Sequence, residues 1–236
     1  VPVPGGAYVA GVDGHYFFDA KREWVASSGF SGSRVTGSEA AMSRLQRSSA
    51  RYYQRPDASH IELDGTRRSL SGWNFQFDFN RNAGSFQPNA SLWAVSPGYE
   101  TNDLGYMTNA DRWGGHLSFA WRKSAPDRLS RFRQMIVAKF WSLNFEREVM
   151  SDGAWAGGWI TFRNYWSGEV TVAATRASRT DRLARGGPLM ESPASVSIDA
   201  EVQSDERKTF VFEADGEYSR SGSGGWETGG DATLTY

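Results

Sequence analysis

WNFQFDFN, residues 73–80, sets Trp73, Phe75, Phe77 and Phe79 in strict alternation with Asn74, Gln76 and Asp78. A period of two is the period of a strand, whose successive side chains point to opposite faces. The stretch therefore predicts a strand with one apolar and one polar face. A one-residue slip in its pairing would exchange the two faces. The same pattern recurs outward along the chain. HLSFAW sets Leu117, Phe119 and Trp121 against His116, Ser118 and Ala120. FWSLNFE sets Trp141, Leu143 and Phe145 against Ser142, Asn144 and Glu146, and TFVFEADGEY adds Phe210, Phe212, Ala214 and Tyr218.

Turn clusters separate these runs: DAKR at 19–22, NRNAGS at 80–85, KSAPDR at 123–128 and SRSGSGG at 219–225. Reading from turn to turn gives about thirteen strands, at 7–18, 23–35, 44–53, 59–63, 69–80, 86–96, 112–122, 130–149, 154–163, 168–178, 194–203, 208–219 and 226–236. SEAAMSRLQR, residues 38–47, has Ala41 and Leu45 on one helical face, but it is short and reads as uncapped. The expectation there is a loop turn leading into a strand. No helix alternates with the strands, which excludes a parallel βαβ architecture. The chain reads as a single region over 1–236.

Composition narrows the class. Lys plus Arg number 26 against 27 Asp plus Glu, a balance that argues against a dedicated nucleic-acid binder. Mean hydropathy is −0.55, and no apolar run approaches the roughly 20 residues of a membrane-spanning helix. Yet 14 Phe, 9 Tyr and 10 Trp make the chain rich in large apolar anchors. There is no Cys, hence no disulfide, thiolate metal site or thiol nucleophile. The opening VPVPGG shows no signal-peptide pattern, and DATLTY stops in mid-alternation, so the sequence reads as a fragment.

Alternation alone fits either a soluble β-sandwich or a membrane barrel. Sandwich strands run to about 5–6 residues, whereas a strand crossing a bilayer takes about 9–11. Many runs here reach ten or more. Bulky charged groups such as Asp78, Glu146, Arg163 and Glu213 read as mid-strand residues that would line a watery lumen, with the aromatics towards lipid. Tyr16, Phe18, Trp24, Trp93, Trp113, Trp121, Trp155, Trp159, Trp166 and Trp226 lie near run ends and are expected in interfacial girdles.

Three stretches carry a resemblance: RLQRSSARYYQRPDASH at 44–60, SPGYETNDLGYMTNADRWGGH at 96–116 and TDRLARGGPLMESPASVSI at 180–198. Together with WSGEVTVAATRASRTDRL and GEYSRSGSGGW, they resemble a bacterial family whose barrel region is catalogued as domain of unknown function 5916. The resemblance implies an outer-membrane β-barrel in a Gram-negative bacterium. It also implies an N-terminal module similar to a family-nine carbohydrate-binding domain, which is missing from this chain. The fold expected is all-β, an antiparallel up-and-down meander forming part of such a barrel and not a complete one. The expected partners are outer-membrane lipid and, through the missing module, polysaccharide. The role is non-catalytic, with channel, receptor and scaffold left open. The alternatives are a soluble β-sandwich carbohydrate-binding module and, behind it, a glycoside-acting enzyme.

Candidate chemistry is sparse. RGGPLM, Arg185 to Met190, follows a strand but precedes no helix, so it reads as a tight turn with Gly186 and Gly187 at positive φ. Asn102 and Asp103, with Glu100 and Asp111, form an oxygen-rich group without EF-hand spacing. Glu146 and Glu148 would sit about 7 Å apart on one strand face. His15, His60 and His116 share no spacing, and no nucleophile elbow is present. No cofactor, metal or catalytic residue is assigned. The connections at 36–43, 97–111 and 179–193 are the longest and, by strand parity, share one rim. That rim is expected to be extracellular, because outer-membrane barrels keep short turns inside and long loops outside. Asn102, Asp103, Arg185, Gly186 and Gly187 are its candidate residues.

Overall fold

The computed structural model describes residues 5–102 and 105–236. It contains thirteen strands, β1 Gly6–Phe17, β2 Trp24–Thr36, β3 Ser69–Arg81, β4 Phe86–Val95, β5 Arg112–Lys123, β6 Ser130–Leu143, β7 Val149–Phe162, β8 Ser167–Thr175, β9 Ser178–Thr180, β10 Met190–Ser192, β11 Ser195–Gln203, β12 Val211–Ser221 and β13 Trp226–Thr235, with one helix, α1 Glu39–Gln46. Eleven strands form one sheet in the order β1-β2-β3-β4-β5-β6-β7-β8-β11-β12-β13, an antiparallel meander. β9 and β10 make a small hairpin within the β8–β11 connection. The sheet is not closed: β1 and β13 are its edges, and with eleven strands they run in the same direction. An antiparallel closure therefore takes an odd number of further strands. Among the described residues no helix is long and apolar enough to cross a membrane, which leaves crossing by strands open.

Register aligns the alternating residues into two faces. Phe75, Phe77 and Phe79 pair with Phe30, Ser28 and Ala26 on one side and with Ala94, Leu92 and Ala90 on the other. The same face continues through Leu117 and Phe119, Val137, Val170 and Val172, and Ile198 to Tyr218. The opposite face carries Asn74, Gln76 and Asp78, then Asn89 and Ser91 beside Ser118 and His116. No second layer covers the apolar face: Trp73 is 38 %, Leu117 45 % and Phe119 47 % exposed. A sandwich would bury these residues between its sheets. On this face Lys139 pairs with Asp152 across β6 and β7, joined by Arg176, and near the β5–β6 turn Lys123 and Arg133 pair with Asp127.

Several sequence expectations are corrected. Residues 44–53 and 59–63 are not strands. The first begins inside α1, which is capped after all: the Ser38 hydroxyl accepts the Ala41 N–H at 3.2 Å. The strand expected at 130–149 ends early, at Leu143, where Asn144, fully buried, accepts the Glu146 and Glu148 N–H groups through Oδ1 and turns the chain, so that the strand expected at 154–163 starts already at Val149. Glu146 and Glu148 therefore share no strand face, and Glu146 and Arg163 are turn residues, not lumen ones. Trp93, Trp155 and Trp159 leave the expected girdle set. Trp93 pairs with Gln76, and Trp155 and Trp159 alternate against Ala154, Ala156 and Ile160, which puts all three on the polar face.

The buried core lies at one rim rather than between sheets. Val35 and Leu70, on the polar face at the ends of β2 and β3, pack against Ala41, Met42, Tyr53 and Ile61 from the long β2–β3 connection. Every long connection follows an even-numbered position in the meander, so the β2–β3, β4–β5 and β8–β11 segments share that rim. The two false strands were a pair, so they cancelled in the parity count and the shared rim stands.

Candidate functional site

The three long connections fold inward over the polar face and lock into one cap. The β4–β5 loop lies directly on β3, because Gly72 and Gly98 let the backbones touch. A Cβ on Gly72 would stand 2.0 Å from the Tyr99 nitrogen, and one on Gly98 would stand 2.1 Å from the Ser71 oxygen. That approach brings the Tyr99 hydroxyl to 2.6 Å from Ser31 Oγ and lets the Glu100 N–H donate to Ser33 Oγ at 2.9 Å. The Ala110 N–H donates to the Ala50 carbonyl at 2.9 Å, tying this loop to the β2–β3 segment.

Charges fill the centre of the cap. Arg51, whose side chain is completely buried, places Nη1 2.8 Å from Glu100 Oε2 and donates through Nη2 to the Tyr99 carbonyl. Burial pulls the Arg51 pKa below its ordinary value, and the facing Glu100 opposes that pull. Arg55, equally buried, stands 3.5 Å from Asp57, 3.8 Å from Asp181 and 4.0 Å from Glu146, so one guanidinium faces a carboxylate from its own segment, the β8–β11 connection and the β6–β7 turn. Arg112 holds Asp181 at 2.8 Å. Isolated, such buried ions would be costly; each here faces an opposite charge.

His60 bridges the β4–β5 loop and the β6–β7 turn. Its Nε2 is 2.7 Å from Asp111 Oδ1, and its Nδ1 is 3.3 Å from Glu146 Oε1. Burial raises the Asp111 carboxyl above the usual range, against the pull of His60. Burial would raise Glu146 as well, but the Ser59 hydroxyl and N–H, with His60, hold it at about 2. The Ser59 hydroxyl is thus committed to Glu146 and not aimed at His60, so the three do not line up as a nucleophile and its base. Among the described residues, no group of three His, Asp or Glu is placed to hold a metal ion.

Between α1 and the β4–β5 loop the cap leaves a cleft of about 820 Å³, lined by Arg44, Ser48, Glu100, Tyr106, Asn109 and Arg182. That is within the size of small-molecule sites. Asn102 lines it too, its N–H on Glu100 Oε1 at 2.6 Å and its Oδ1 accepting the Met107 N–H at 2.7 Å. Asp103 lies outside the described residues. Arg185 and Gly186 carry the positive φ of the RGGPLM turn, at 46° and 99°; Gly187 does not, which corrects the expected pair. Gly186 is favoured by its positive φ, and a Cβ there would also require the tip of the Gln54 side chain to move. Glu100 and Asp111 do not converge with Asn102 as a cation cluster: Glu100 faces Arg51, and Asp111 faces His60.

Sequence reasoning missed Arg51, Arg55, His60, Glu146 and Asp181 as one assembly. The available signal was charge embedded in an aromatic run, RYYQR at 51–55, and the three distinctive segments 44–60, 96–116 and 180–198, which are the ones that meet in the cap. Against known families, the family model for the domain of unknown function DUF5916 matches residues 25–229, and the chain belongs to that family. No curated protein matches it.

Proposed function

We propose that this member of the family is a segment of a bacterial outer-membrane β-barrel, non-catalytic, with the loop cap closing its outer rim. The observation that carries the reading is the uncovered apolar face. Large side chains from Tyr8 and Phe30 to Phe212 and Leu234 stand exposed across the whole sheet, with no layer packed on them. In water such a surface would be an association hazard; against acyl chains it is the expected outside of a barrel. Strands of 9–14 residues in the main sheet suit a tilted crossing. The paired Lys139 and Asp152 reduce the penalty of charge on that face.

The cap supports a receptor or gated channel over an open pore, because buried loops at one mouth restrict entry to the polar face. A polysaccharide or other extracellular ligand would meet the cleft beside Glu100 and Arg182 first. Carbohydrate binding through an N-terminal module is part of the same proposal.

The cysteine-free chain suits a direct test. Full-length protein carrying a single cysteine at Ser49, in the cap, or at Asn82, in a short turn, is expressed in a Gram-negative host. Expected are membrane extraction only with detergent, heat-modifiable gel migration, and labelling of intact cells by an impermeant maleimide at position 49 alone. Solubility without detergent refutes the barrel. Labelling at 82 and not at 49 inverts the assigned orientation.

A further inference from the structure

Of the three tryptophans on the polar face, Trp155 and Trp159 lie together on one strand. On the polar face of β7, Gly153, Trp155, Gly157 and Trp159 alternate small and large, and both indoles lean over Gly157. A Cβ there would lie 2.7 Å from the Trp159 ring and 3.1 Å from that of Trp155, so the glycine is what lets the rings lie down on the sheet. They meet edge to face, with centroids 6.4 Å apart at 87°. Neither is buried by a second layer.

On the β8 side the pair adjoins carboxylates alone, whereas on the β6 side Arg122 of β5 donates to Gln134, the residue opposite Trp159. Trp159 stands opposite Glu169, Glu169 opposite Glu201, Glu201 opposite Asp215 and Asp215 opposite Asp231. Four carboxylates thus lie side by side in one row across β8, β11, β12 and β13, about 4.8 Å from strand to strand. No Lys or Arg occupies a polar-face position of these four strands, and no ion pair reaches the row among the described residues. Like charges directly opposite one another weaken a sheet, so the row does nothing for folding. Carboxylates alone would mark only a solvated surface; the adjoining indoles give the row a seat, since their ring faces attract cations.

We infer that this face binds an organic cation, seated on Trp155 and Trp159 and drawn in by Glu169 and Glu201. The inference rests on the proposed function only in reading the polar face as a lumen wall open to water. Charge complementarity selects the occupant: a neutral sugar could stack on the same rings but would leave the unpaired row unexplained. A flexible polyamine matches both features, one ammonium over an indole and the next within reach of the carboxylate row.

The test uses the full chain in detergent, labelled with 5-fluorotryptophan, and spermidine as probe. Resonances of positions 155 and 159 are assigned by Trp155→Phe and Trp159→Phe. Expected is a saturable shift of these two signals by spermidine, with Kd at least tenfold weaker in Glu169→Gln/Glu201→Gln. Far-ultraviolet circular dichroism verifies that the variant keeps its sheet. Equal shifts from sodium chloride at matched ionic strength, or shifts from maltotriose and not from spermidine, overturn the inference. Failure of the protein to insert into vesicles would instead sink the barrel reading, and this binding readout does not depend on insertion.

Discussion

Replacing Arg51 by Met leaves Glu100 buried without its partner. The two side chains are 0 % and 6 % exposed and 2.8 Å apart, so water cannot take the place of the guanidinium. Removing one member of a buried ion pair costs about 3–5 kcal/mol. At 1.36 kcal/mol per decade, that is about a 150- to 5,000-fold rise in local opening, up to the limit set by the cap's own stability. Amide hydrogen exchange reads it directly. The Ala110 N–H on the Ala50 carbonyl and the Glu100 N–H on Ser33 both report the cap, while the amides of Asn74–Asn80 in β3 report the sheet. The cap amides should accelerate and the strand amides should not. The double variant Arg51→Met/Glu100→Gln should recover to within about tenfold of the parent, because no charge is then stranded and Gln still accepts the Asn102 N–H. An acceleration below about threefold in the single variant, or a double variant as labile as the single, would refute the reasoning.

Gly72→Val should push Tyr99 off β3, costing at least the roughly 1–3 kcal/mol of overpacking. Limited proteolysis should cut within 96–111, while the β3–β4 register stays intact by cross-strand nuclear Overhauser contacts. Ser38→Ala removes the α1 cap and should cost about 1 kcal/mol, seen as about fivefold faster exchange of the Ala41 and Met42 amides. Acid should loosen the Glu146 contacts. With a folded pKa of about 2 against 4.5 unfolded, its stabilisation is fully present above pH 4.5 and is lost as pH falls through about 2. Ser59 amide protection, corrected for intrinsic rates, should drop over that window and become flat in Glu146→Gln. Asp111 titrates the other way, since its raised pKa favours the folded cap in acid, so the Gln variant isolates Glu146.

The eleven-strand meander was legible before any coordinates, because period-two alternation is local. Trp73 to Phe79 specify a face regardless of what pairs with them, and turn clusters such as NRNAGS set the spacing. The cap was not legible. Residues 44–63 mix aromatics, Arg and turn formers without a period, so local reading supplied strands where tertiary packing makes a short helix and turns. α1 is stable only because Ala41 and Met42 bury themselves against Val35 at the end of β2 and against Leu70, a residue about thirty positions distant that β3 brings alongside. Trp155 and Trp159 were misplaced for a related reason. Composition marks tryptophan as apolar, but which face it occupies depends on a register counted from Gly153 across β6 and β8. The ion network is the extreme case: Arg55 faces carboxylates two, ninety-one and one hundred and twenty-six residues away. Sequence dictated the strands, their alternation and the shared rim of the long loops, since each follows from near neighbours and parity. Only the folded chain decided which charges meet inside that rim, because ion pairing is set by distance in space and carries no period along the chain.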